Sequence, residues 1–103
     1  MSRRRFSRAP DAQGRKALQL CRQVAEALHW ALGGCGDAVL HALRVVSVEP
    51  APNAVRLLVT VEADGVAPVA ALEHLRRAAG LLRSEVAAGI NRRRAPELTF
   101  RVQ

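Results

Sequence analysis

The chain has 103 residues, sixteen basic against nine acidic, and a net charge of +7. Half of it is apolar, yet only Phe6, Trp30 and Phe100 are aromatic. This length and apolar content suit one domain with its own core and exclude long disorder, and no apolar run approaches the roughly 20 residues of a bilayer span.

The chain opens on a basic stretch. Arg3, Arg4, Arg5, Arg8, Arg15 and Lys16 face only Asp11. Residues 1–13 show no hydrophobic period and contain Pro10, so they are expected to form a flexible arm ahead of a domain spanning 14–103. No apolar segment follows the arginines as it would in a secretory leader, so the expected compartment is the cytoplasm, with Cys21 and Cys35 reduced.

From Arg15 to Leu32 the spacing predicts an amphipathic helix. Ala17, Leu20, Cys21, Val24, Leu28 and Leu32 share one face, with Lys16, Gln19, Arg22, Glu26 and His29 opposite. Gly33-Gly34 is expected to end it by accepting positive φ. The texture then turns to β. Val39 to Glu49 predicts one strand, Pro50-Ala51-Pro52-Asn53 a turn, and Val55, Leu57, Val59 and Val61 a half-buried second strand. Arg44 interrupts the Leu40, Ala42, Val46, Val48 series of the first strand, and the sequence leaves open whether a bulge resolves the conflict of faces.

Asp64-Gly65 breaks the second strand, and Pro68 opens a helix striped by Leu72, Leu75 and Ala79. Gly80 interrupts, and Leu82, Val86 and Ile90 restart the stripe. A mid-helix glycine costs about 1 kcal/mol relative to Ala, so a kink or a close packing contact is expected there. Pro96 stops the helical region, and Leu98, Phe100 and Val102 alternate as a third strand. The order α-β-β-α-(kink)-α-β predicts an α+β fold with the helices on one face of a three-stranded mixed sheet.

The charge follows this order in blocks. Residues 76–94 carry Arg76, Arg77, Arg83, Arg92, Arg93 and Arg94 against Glu85 alone, whereas acids outnumber bases between 17 and 75. Enzymatic constellations are nearly absent. His29, His41 and His74 share no local motif with a carboxylate or cysteine and are expected at the surface, and no metal-ligand spacing or phosphate-cradling loop stands out. The chain is therefore expected to be neither an enzyme nor a cofactor or metal protein. Clustered arginines supply forked, salt-dependent contacts to phosphates, and with few aromatics the recognition would be of backbone and shape.

The segments Leu72-Glu73-His74-Leu75-Arg76-Arg77-Ala78-Ala79-Gly80-Leu81-Leu82 and Arg92-Arg93-Arg94-Ala95-Pro96-Glu97-Leu98-Thr99-Phe100 resemble the ribosome-binding factor A family, as do Val46-Ser47-Val48-Glu49 and Val59-Thr60-Val61 of the hairpin. The family's D-P-R-L turn stands here as Asp37-Ala38-Val39-Leu40, and its S-x-D hairpin turn as Ala51-Pro52-Asn53. The resemblance implies a KH type II-like fold with an A-x-G kink at Ala78-Ala79-Gly80. It also implies a monomeric, non-catalytic factor that binds the small ribosomal subunit and its rRNA, aids late rRNA maturation and meets other assembly factors. RNA contacts are expected from Arg76, Arg77, Arg83, Arg92, Arg93 and Arg94, with Arg3, Arg4 and Arg5 as an accessory arm. The alternative is a KH-like interaction module whose basic face meets an acidic protein.

Overall fold

The computed structural model describes residues 8–53, 55–90 and 95–103. Among the described residues, four helices and three strands follow one another as α1 (Arg8–Gly34), α2 (Ala38–His41), β1 (Leu43–Asn53), β2 (Arg56–Ala63), α3 (Pro68–Arg77), α4 (Ala79–Ile90) and β3 (Glu97–Val102). The sheet order is β1-β2-β3, with β1 antiparallel and β3 parallel to the central β2. The fold is α+β with a mixed sheet, as its residue pattern predicts.

One core joins the layers. Leu57, Val59 and Val61 of β2 are fully covered by Leu20, Val24 and Leu28 of α1, Leu75 of α3, and Leu82 and Val86 of α4. Cys21 belongs to this core; burial pushes its thiol pKa up, and the nearby Glu49 charge adds to the shift. Cys21 and Cys35 are both free thiols.

Helix α1 is longer than its apolar period suggests. It begins at Arg8, so the second half of the stretch expected as an arm is helical; Pro10 sits in the first turn, where a missing N–H breaks no helical bond. Residues 1–7 lie outside the described residues. At its other end the helix runs through Gly33 and Gly34, and neither takes positive φ. The Cys35 thiol donates to the Leu32 carbonyl at 3.2 Å, so a side chain takes up one of the orphan carbonyls of the last turn.

Two further corrections concern β1. Residues 38–41 are helical and not the start of a strand, because Asp37 caps them: its Oδ1 accepts from the Val39 and Leu40 N–H groups at 2.8 and 3.2 Å. His41 therefore ends a helical turn. The face conflict around Arg44 is resolved by a bulge between Val45 and Ser47, which places Leu43, Val45 and Val48 toward the helices and leaves Val46 45% exposed. The hairpin reversal also falls later than Pro50–Asn53. The strand continues to Asn53, whose Oδ1 accepts from the Val55 N–H at 2.9 Å. Pro50 is tolerated because β1 is an edge strand with a second irregularity between Pro50 and Asn53. Gly65, at φ 75°, turns the chain from β2 toward α3.

Candidate nucleic-acid interface

The break between α3 and α4 occupies one residue. Ala78 has φ −91° and ψ 3°; its N–H donates to the His74 carbonyl at 3.0 Å, and its own carbonyl accepts from Leu82 at 2.8 Å. Any L residue can adopt this geometry, so the bend needs no glycine. Gly80 is exposed two residues later, without positive φ, and a Cβ there would meet nothing within 4 Å. Close packing is instead served by Gly89 of α4, where a Cβ would come within 3.0 Å of the Ala27 Cβ in α1. The expectation that Gly80 supplies the kink is corrected accordingly: Ala78 makes the break, Ala79 opens α4, and Gly80 leaves open surface beside them.

Arg76 and Arg77 close α3, where cations are favoured by the helix carbonyl end. Both are exposed, but their surroundings differ. Arg77 reaches back one turn to Glu73 at 3.0 Å, with both side chains 68% exposed. Such a pair is worth only about 0.3–0.5 kcal/mol and is readily exchanged for a phosphate. Glu73 thus engages Arg77 rather than Arg76, and among the described residues no carboxylate lies within 4 Å of Arg76. The first turn of α4 contains no acid, so nothing there offsets its positive end.

Arg83 is used differently. Its guanidinium donates to the Ala95 carbonyl at 3.3 Å and ties α4 to the buried Ala95-Pro96 step that leads into β3. Arg92, Arg93 and Arg94 lie outside the described residues, between Ile90 and Ala95, as do Arg3, Arg4 and Arg5.

On the face of the sheet turned away from the helices, positive charge is largely balanced. Arg44 meets Glu62 at 2.6 Å and Arg56 meets Glu97 at 3.2 Å. Arg101 donates to Thr60 Oγ1 at 3.0 Å and covers that residue, which is only 1% exposed. The end of α3 is therefore the better-supported place for a polyanion.

His74, expected as a surface residue, is instead half-buried. Its Nδ1 lies 2.8 Å from Asp37 Oδ2. The hydrogen bond with His74, helped by the Leu40 and Val39 N–H groups and opposed by partial desolvation, holds the Asp37 carboxyl below the ordinary aspartate range. The Asp that starts the D-P-R-L-like turn thus braces the helix carrying Arg76 and Arg77. An Asp just ahead of an apolar run is the available signal for its cap; its reach to His74 across 37 residues has none. Among the described residues, no three His, Cys, Asp or Glu side chains gather closely enough to hold a metal ion, and no helix is long and apolar enough to cross a membrane.

No protein-family model matches the chain, and no curated protein matches it. Solved structures do. The crystal structure of ribosome-binding factor A from Thermus thermophilus is 31% identical, with a TM-score of 0.72 over 82% of this chain and 92% of that one. A homology model of the Thermus thermophilus factor, fitted into a cryo-EM map of a 30S–RbfA complex, is 32% identical, with a TM-score of 0.64 over 77% of this chain and 86% of that one.

Proposed function

The chain belongs to the ribosome-binding factor A family, and from that premise we propose that it binds the small ribosomal subunit and assists late maturation of its rRNA without catalysing a reaction. The observation that carries this reading is the joint likeness in fold and sequence to a factor that has been placed in a 30S complex. The exposed Arg76 and Arg77 at the α3–α4 break give the reading a surface.

Phosphate contact would come from Arg76 and Arg77 at the break, from Arg92, Arg93 and Arg94 in the connection to β3, and from Arg3, Arg4 and Arg5 as a longer-range attraction. Ala79 and Gly80 contribute by being small, so that an RNA backbone can approach the helix. Base stacking has little part in it. Trp30, the exposed aromatic among the described residues, lies beside the carboxylates of Glu26 and Glu85, which disfavour a phosphate backbone. Binding of this kind acts by favouring one rRNA arrangement over another, through its differential affinity for the two.

Sucrose-gradient sedimentation of the tagged protein tests the proposal. It should travel with free small subunits and be absent from translating ribosomes, and cells lacking it should accumulate unprocessed small-subunit rRNA. Recovery only in the soluble fraction, at low as well as high salt, would sink the ribosomal reading.

A further inference from the structure

We propose that the groove between α1 and α4 is a docking site for an arginine- or lysine-bearing, extended segment of a separate partner protein. The chain carries a net charge of +7, yet among the described residues the charged side chains that line this groove are both acidic. It encloses 670 Å³, and Glu26 of α1 and Glu85 of α4 are its charged lining residues. Its floor is made of small residues, among them Ala27, Ala88 and Gly89. A Cβ added at Gly89 would come within 3.0 Å of the Ala27 Cβ, so the two helices meet closely along this floor.

Trp30 stands at the side of this groove, 70% exposed, with the His29 ring edge-on to it at 5.4 Å between centroids. A second hollow of 260 Å³ continues past Trp30 to Cys35 and Leu81, and it shares Trp30 and Glu85 with the first. Leu81 is 57% exposed. An exposed indole and leucine beside two carboxylates offer two kinds of contact to one occupant: apolar burial with cation–π attraction, and charge pairing.

The same chemistry repels phosphate, so RNA is the disfavoured occupant. The run from Gln23 to Gly34 rises about 17 Å along the helix, the span of roughly five extended residues. An extended segment alternating basic and apolar side chains matches that length and both chemistries. This inference is independent of ribosome binding.

Trp30 is the single tryptophan, so its fluorescence reports on the groove directly. The full chain is titrated with a 12-residue peptide of alternating Arg and Leu, a matching Asp–Leu peptide, and a uridine 12-mer. The Arg–Leu peptide should shift Trp30 emission to shorter wavelength, saturably and more tightly at low salt. The double variant Glu26→Lys/Glu85→Lys should weaken that binding by about tenfold. Glu26→Gln/Glu85→Gln serves if the reversed charges impair folding. Absence of a shift, an equal shift with the Asp–Leu peptide or the RNA, or unchanged affinity in both double variants overturns the proposal. So does a concentration-dependent dimer that is lost on removing residues 1–7, which would assign the groove to a second copy's arm.

Discussion

Asp37 and His74 meet at 2.8 Å, and the same Asp37 carboxylate caps α2, so one side chain fixes the start of α2 and braces α3 against it. Because the folded chain favours the ionised carboxylate, its contribution is complete above the unfolded value near 4 and is lost as pH falls through the lower folded value. Thermal melts from about pH 6 down to about pH 2 should therefore show the parent chain losing stability more steeply below about pH 4 than Asp37→Asn, which has no charge to lose. Asp37→Ala should lower the melting temperature at neutral pH by roughly 5 °C through loss of the cap. In His74→Ala, the carboxyl titration of Asp37 followed by NMR should move back toward the ordinary range. An unmoved titration would show that the backbone N–H groups alone set it.

Arg76 and Arg83 should separate cleanly. Arg76→Ala removes an exposed cation with no carboxylate partner among the described residues. It should leave the melt unchanged and reduce the salt slope of rRNA binding by about one unit. Arg83→Ala removes the tie to the Ala95 carbonyl and should cost roughly 0.5–1.5 kcal/mol of stability. Filter binding across salt, with melts of the same samples, checks both. Replacing Arg92, Arg93 and Arg94 together with Ala should flatten the slope by up to roughly 3 units; an unchanged slope would show that they meet no phosphate.

The two helical glycines should respond in opposite directions. Gly80→Ala adds a methyl group in open space at an ordinary helical position, and should stabilise the fold by about 0.5–1 kcal/mol. Gly89→Val drives a branched side chain into Ala27 and should destabilise by about 1–3 kcal/mol. Urea titrations of the two variants give the signs directly. If Gly80→Ala weakens RNA binding while stabilising the fold, the glycine serves the interface.

Elements with a long period are legible from the residues alone, because burial of one face dictates the spacing. Leu20, Val24 and Leu28, and Leu57, Val59 and Val61, occupy the core that their periods imply. What escapes the sequence depends on partners remote in the chain or on backbone detail. The bulge at Val46 is invisible because Val suits either face, and only pairing with β2 shows which residue is extra. Helix α2 reads as strand because Val39 and Leu40 favour that texture, while the cap that decides the matter comes from Asp37. At the candidate interface the arginines are legible as a charge block, but the sequence does not assign Glu73 to Arg77 rather than Arg76. The groove around Trp30 leaves no pattern either, since its lining joins residues about sixty positions apart in the chain.

The parallel pairing of β2 with β3 has a consequence for how the molecule assembles. Arg56 and Glu97 face each other across the ladder although they are 41 residues apart, whereas Asn53 and Arg56 close the β1–β2 hairpin within four residues. The entropy of closing the longer loop must be met before any β2–β3 bond forms, and two helices lie within that loop. The hairpin and helices should therefore gather first, with one edge of β2 open to any passing strand until β3 docks. In pulse-labelled hydrogen exchange, the amides bonded between β1 and β2 should gain protection before the Gln103 N–H that donates to Val61. The vulnerable stage of this chain's life is thus the interval in which its central strand is still an edge.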